Sequence, residues 1–168
     1  MLKKSIHTLF LGLAATLMLT FGSAEAFAQN TVGFVTDSVT SFQVIQGTQQ
    51  GGQNSLQRVK QTYWIFDTSR GVFYFYPMEY YQWGLQPFVG TYRVQGNKVI
   101  VEATYNISFS TGGTSSQVIG EIDFSGSRPV ANLKWITGAA QGASVGGINF
   151  GSSSNSAYQF TASLKRSW

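Results

Sequence analysis

Apolar and polar residues alternate through most of this chain, and no long window carries the 3.6-residue period of an amphipathic helix. The clearest stretch is KVIVEATYNISFS, residues 98–110. Val99, Val101, Ala103, Tyr105, Ile107 and Phe109 fall on one side of an extended chain. Lys98, Glu102, Thr104, Asn106, Ser108 and Ser110 fall on the other, and only Ile100 breaks the order. Such a segment is a strand with one buried face. The same reading predicts eight strands, roughly 32–45, 57–67, 72–77, 88–95, 98–110, 117–125, 129–137 and 156–165. The first alternates poorly and is expected to break near Asp37-Ser38.

Turn residues test the register. Gly96-Asn97 suits a two-residue hairpin loop, since both residue types accept positive φ. It pairs Gln95 with Lys98 and sets Val94 opposite Val99 and Tyr92 opposite Val101. Gly126-Ser127 acts likewise, setting Ile122 opposite Ala131, Gly120 opposite Leu133 and Val118 opposite Trp135. A slip of one residue would send these side chains to opposite faces. The connections at 68–71, 96–97 and 126–128 are short; those at 46–56, 78–87, 111–116 and 138–155 are longer. Short and long alternate, which gathers the long loops at one end. The expected fold is all-β, an antiparallel up-and-down meander closed into an eight-stranded barrel, with an open sheet or sandwich as the alternative. GTQQGGQNS (47–55) and the Gly/Ser-rich 138–155 read as loops.

Composition changes this picture at the N-terminus. Lys3 and Lys4 precede an uncharged apolar run, Leu9 to Leu19, and small residues follow. That is the layout of a secretory signal peptide, with cleavage after Ala28 and a single domain over 29–168. The expected location is therefore secreted or periplasmic. Cysteine is absent, which excludes a lipoprotein anchor and a disulfide framework. The nine basic and six acidic residues of 29–168 are scattered, so the chain has no nucleic-acid footprint. With eight strands, about 140 mature residues and loops of unequal length, the chain resembles the lipocalin-like (calycin) barrels. The Gly-x-Trp signature of that family has no counterpart; the nearest stretch is Val32-Gly33-Phe34-Val35. The resemblance implies carriage of a small apolar ligand inside the barrel.

Ten of the 25 aromatic residues lie between Tyr63 and Trp83. A turn at Thr68-Ser69-Arg70-Gly71 pairs Asp67 with Val72. Phe66 then meets Phe73 and Trp64 meets Phe75 on one face, while Ile65 meets Tyr74 and Tyr63 meets Tyr76 on the other. The Phe/Trp face is expected to be core, and the Tyr face half-wet, because tyrosine has an apolar body and a polar tip. Tyr80, Tyr81 and Trp83 follow Pro77 in a long connection and are expected at the barrel mouth. The candidate ligand-binding set is Trp64, Phe66, Phe73 and Phe75 around a cavity, with Tyr80, Tyr81 and Trp83 at its rim. The expected ligand is small and apolar or aromatic.

The only histidine, His7, lies in the leader, so 29–168 lacks both His and Cys. That removes Ser-His-Asp and Cys-His nucleophilic machinery and the usual transition-metal sites. No Walker A spacing occurs, and no cofactor or metal is expected. A turn at Thr111–Thr114 would set Glu102 opposite Asp123 and Thr104 opposite Glu121, clustering three carboxylates on one face. Paired acids of that kind serve glycosidases, but a solvated outer face explains them as well. The expected function is a non-catalytic lipocalin-like carrier. One alternative is a small outer-membrane barrel, suggested by the C-terminal Trp168 and opposed by Lys60, which would continue an apolar strand face into the bilayer. Another is a surface or matrix protein whose Tyr face binds glycans.

Overall fold

The computed structural model describes residues 30–109, 112–138, 143–145, 148–150 and 156–168. The expected leader, 1–28, lies outside them. The alternating stretches become strands β1 (Thr31–Gln46), β2 (Thr62–Asp67), β3 (Val72–Pro77), β4 (Phe88–Gln95), β5 (Lys98–Phe109), β6 (Gly112–Asp123), β7 (Val130–Thr137) and β10 (Ser156–Arg166). The stretch 138–155, which the sequence reads as a loop, instead holds a separate small hairpin of β8 (Ala143–Val145) and β9 (Ile148–Phe150), since its Gly/Ser composition hides the short apolar strands. Around the wall the order is β1-β10-β7-β6-β5-β4-β3-β2, all antiparallel and closed. The all-β meander and its eight-stranded closure are as the alternation predicts.

Three hairpin registers follow the turn chemistry. Val94 faces Val99, Ile122 faces Ala131 and Trp64 faces Phe75. The expected break near Asp37-Ser38 is a bulge: β1 continues through it, but its register with β10 shifts between Thr36 and Ser38. Asp37 leaves the ladder there and its carboxylate accepts from the Arg128 guanidinium.

Two further expectations fail. Residues 47–61 were expected as a loop leading into a strand from 57, yet Gln49–Lys60 is a helix, α1. Thr48 caps it, its hydroxyl accepting from the Gly51 N–H at 3.1 Å, and Arg58 and Lys60 lie in the last turn, where cations suit the helix dipole. Its buried side is Gly52, Ser55 and Val59, too small and polar to print an apolar period on the sequence. Arg58 and Lys60 therefore belong to a helix, not to a strand face. The second failure is the β5–β6 register. β6 begins at Gly112, five residues earlier than the expected 117, leaving only 110–111 between it and β5, and Glu121 faces Ile100 while Asp123 faces Lys98. Gly, Ser and Thr crowd 111–116, and several turns of different length suit such a run equally.

Apolar parity points inward. Trp64, Phe73, Phe75, Phe88, Trp135 and Phe160 are completely or almost completely buried. Their rings meet edge to face: Trp64 on Phe75 at 5.1 Å, Phe75 on Phe88 at 5.5 Å and Phe88 on Trp135 at 5.6 Å between centroids. Eight strands enclose a space that side chains of this size fill. Arg93, Lys98, Glu102 and Glu121 take the opposite parity and lie on the outside.

Candidate functional site

The four strand residues expected around a cavity, Trp64, Phe66, Phe73 and Phe75, are packed against one another at the barrel centre. The rim expectation divides. Tyr80 belongs to a five-residue helix, α2 (Met78–Gln82), and is buried, its ring stacked on Phe88 at 6.0 Å and tilted against Tyr105 at 5.2 Å. Burial pushes its hydroxyl pKa up. Tyr81 and Trp83 are exposed.

α1 and α2 together cover the end of the barrel where β1 finishes and β2 begins. Val59 of α1 enters the core. Arg58 Nε donates to Glu79 Oε2 at 2.7 Å, tying one helix to the other. The Thr62 hydroxyl donates to the Arg58 carbonyl at 2.5 Å and the Met78 N–H to the Gln61 carbonyl at 2.6 Å. Beneath this cover lies Trp135, 1% exposed, whose indole N–H is the one buried side-chain donor or acceptor without a partner among the described residues.

The outside of β2 and β3 carries a second aromatic group. Trp168 lies 5.9 Å from Tyr63, Tyr63 is the register partner of Tyr76, and Tyr76 meets Tyr81 edge to face at 5.8 Å. Two ring pairs, Trp168–Tyr63 and Tyr76–Tyr81, thus lie in a row across neighbouring register positions of the two strands. Trp168 reaches its place because Gly33 has no side chain: a Cβ there would stand 2.2 Å from the indole. The Gly33 carbonyl accepts from the Ser167 N–H at 3.0 Å, and the Gly33 N–H donates to the Trp168 carbonyl at 3.3 Å. At the other end the Tyr76 hydroxyl donates to the Leu85 carbonyl at 2.9 Å, and burial raises its pKa. Tyr81 is 65% and Trp168 39% exposed. Tyr74 lies beside the row on the same face, its hydroxyl accepting from Arg70 Nη2 at 3.1 Å.

No family model, curated protein or solved structure matches this chain. The geometry alone speaks for the site.

The four side chains of the row carry no formal charge; Arg166 Nε donates to the Trp168 carbonyl at 3.3 Å at one end, and Asp67 and Arg70 form an ion pair beside Tyr74. Asp67 Oδ1 accepts from the Ser69 hydroxyl at 2.6 Å and from the N–H groups of Ser69 and Arg70, each at 3.1 Å; Oδ2 accepts from Arg70 Nε at 2.6 Å. These bonds, the Ser69 hydroxyl first and the Arg70 side chain next, hold the Asp67 pKa down to about 2. A carboxyl depressed by folding stabilises fully above its unfolded value and loses that contribution as pH falls through the folded one. Asp67→Asn is therefore expected to be destabilising by a constant amount above about pH 5, with the gap to wild type narrowing between about pH 4 and 2. Urea unfolding across that range measures it; a gap independent of pH would refute the account.

The three carboxylates expected to cluster are instead engaged separately. Glu102 accepts from Gln117 Nε2 at 2.7 Å, Glu121 pairs with Lys98 Nζ at 2.7 Å, and Asp123 accepts from the Ser125 N–H at 2.8 Å. The true register moves Glu102 opposite Ile119. Among the described residues no group of three His, Cys, Asp or Glu side chains is placed to hold a metal. Sequence reasoning found Tyr63, Tyr74 and Tyr76 as a half-wet face, but missed that Trp168 extends it. The available signal was Gly33, a residue with no side chain near the start of β1.

Proposed function

We propose that this barrel is a non-catalytic binding protein and that its ligand lies on the outer aromatic row. The observation that carries the reading is the contrast between the two aromatic groups. The inner rings pack on one another, whereas the outer four, two ring pairs at neighbouring register positions, have no charged side chain and are partly open to water. Soluble proteins rarely leave contiguous ring surface exposed without use. Tyrosine and tryptophan present flat apolar faces with a hydrogen-bonding tip, which suits the C–H face and the hydroxyl rim of a neutral sugar ring. Neutral saccharide chains are the ligand class proposed, in keeping with a secreted or surface-associated protein. Charged groups on the outside, Arg93, Lys98, Glu102 and Glu121 among them, favour an aqueous setting over lipid, where a basic residue at mid-bilayer costs roughly 2–4 kcal/mol.

The test is a glycan array followed by affinity electrophoresis in neutral polysaccharides. Wild type is expected to be retarded by at least one of them, with Tyr81→Ala binding about tenfold more weakly, the scale of one lost aromatic contact. Tyr74→Ser with Tyr76→Ser should remove binding while thermal unfolding reports a folded barrel. Binding that survives all three changes would move the site elsewhere.

A second reading, the lipocalin-like carrier of a small apolar or aromatic ligand, is favoured by the Trp135 N–H. A buried donor without a partner calls for a water or a ligand acceptor. Occupancy there requires the α1–α2 cover to lift. Native mass spectrometry of the protein as recovered from cells decides it: bound mass lost in Trp135→Phe supports the carrier.

A further inference from the structure

The barrel wall has a seam. β1 is 16 residues long, and β10 pairs with it from Phe34 to Gln46. On its other side β2 pairs only with Thr31 to Val35. The chain that would extend β2 alongside the rest of β1 is coiled into α1 instead. From Thr36 to Gln46, then, the second edge of β1 has no strand against it among the described residues. α1 packs behind this edge, with Gly52 so near Val44 that a Cβ would stand 2.4 Å from its Cγ2. Between edge and helix runs a groove of about 500 Å³, bordered by Phe42, Gln43 and Val44 of β1 and by Gln49, Gln53 and Leu56 of α1. That volume is in the range of ligand sites.

An open strand edge is a template, because every second residue aims its N–H and C=O at an absent neighbour. Most edges are defended by charge, proline or bulges. β1 has bulges, with register shifts at 36/38, 39/41 and 44/46, but between Ser41 and Val44 it is regular. The segment SVTSFQVIQ, residues 38–46, has no charged residue, no proline and no glycine. Ile45 is 55% exposed on it. A short, uncharged, β-prone segment of this kind pairs readily with its own copy.

We infer that the free edge of β1 is the contact through which two copies of this chain pair, strand to strand, about a two-fold axis near Gln43. An antiparallel pair related by such an axis sets residues of equal parity opposite each other. With Gln43 on the axis, its amide meets the Gln43 amide of the second copy, and Phe42 faces Val44 of the second copy in both directions. Ser41 faces Ile45 of the second copy. Apolar residues meet apolar ones on the inner side, and no like charges approach, although each chain carries net positive charge. The groove beside α1 gives the incoming strand a floor in Leu56 and amide partners in Gln49 and Gln53. This pairing is independent of the aromatic row, which lies on the outside of β2 and β3.

Sedimentation velocity over a range of protein concentrations tests the inference, using the protein recovered from expression of the full sequence. The expected result is a monomer–dimer equilibrium in the wild type. Ile45→Lys and Gln43→Lys, which place edge charges where no core contact is made, should each weaken the dimer by about tenfold or more. Their melting temperature in dilute solution should match wild type, and Ile45→Thr should retain the dimer. A synthetic peptide of residues 38–46 should compete with pairing. A wild type that is monomeric at every concentration overturns the proposal, including the case in which mass spectrometry finds a foreign peptide in the groove. A dimer indifferent to both lysines overturns it too, by locating the contact on another face.

Discussion

Trp64→Ala is expected to lower the unfolding free energy by about 4 kcal/mol, the largest loss from any single core truncation in this barrel. The ring is fully buried and meets Phe75 at 5.1 Å and Phe73 and Phe160 at 6.4 Å each, so three rings on two strands of the wall, β3 and β10, lose a partner together. Its neighbours are rings held by their own contacts and cannot collapse into the space. The indole N–H also donates to the Thr36 hydroxyl at 2.9 Å, at the point on β1 just past its last pairing with β2. Alanine therefore leaves a cavity and an unpartnered hydroxyl beside the seam. Trp64→Phe keeps much of the volume and loses only the donor and part of the ring, so its cost should be nearer 1–2 kcal/mol, about that of one buried hydrogen bond and a little packing. Urea unfolding of the pair measures both. Equal losses would mean that the hydrogen bond, not the volume, matters at this site.

The second large effect belongs to Gly90. A Cβ at this position of β4 would stand 1.8 Å from the Glu102 carbonyl oxygen and 2.5 Å from the Ala103 Cα. Both are backbone atoms of the neighbouring strand, so no side-chain rotation can make room. Gly90→Val must open the β4–β5 ladder where Gly90 faces Ala103, and is expected to be destabilising by about 3 kcal/mol or more. Gly71 is the useful contrast. It has φ +67° in the β2–β3 turn but open space around a would-be Cβ. Gly71→Ala suffers only the left-handed backbone penalty, about 1 kcal/mol. Thermal unfolding should rank the two variants in that order, and a reversal would contradict the close approach of β4 and β5.

What could be read from the sequence was what period two and turn chemistry encode. Gly96-Asn97, Gly126-Ser127 and Thr68–Gly71 each fix a hairpin, because their residue types fit few backbone conformations. Where turn chemistry was degenerate, as in the Thr-Gly-Gly-Thr run after β5, the register was misjudged and three separately engaged carboxylates looked like a cluster. α1 was illegible for a different reason. Its buried side is made of Gly52, Ser55 and Val59, and two adjacent glycines near its start argue against a helix by propensity. Packing against Val44 and the core at Val59 outweighs that preference, and only the Thr48 cap and the basic last turn hinted at it. The site was half legible. Parity put the tyrosines outside, but the return of Trp168 over Gly33 depends on β1 and the C-terminus being neighbours, which no local pattern states. Tyr80 failed as a rim residue because its helix turns the ring down onto Phe88, a direction set by the cover as a whole.

The pairing of β1 with β10 has a consequence in time. Phe34 lies opposite Arg166, and Val44 opposite Tyr158. The hairpins between them need only nearby residues, but closing the wall brings the two most distant strands together. Joints of such long separation form slowly, since the entropy of looping the chain is lost before any contact compensates. Until residues 156–166 have left the ribosome the meander has no cylinder to close, and its inner rings have no interior. Closure of the wall therefore waits for β10, although the hairpins before it can form earlier. Refolding should show one slow phase that reports on the indole of Trp64 and the β1–β10 joint together, preceded by fast hairpin formation that leaves Trp64 fluorescence wet.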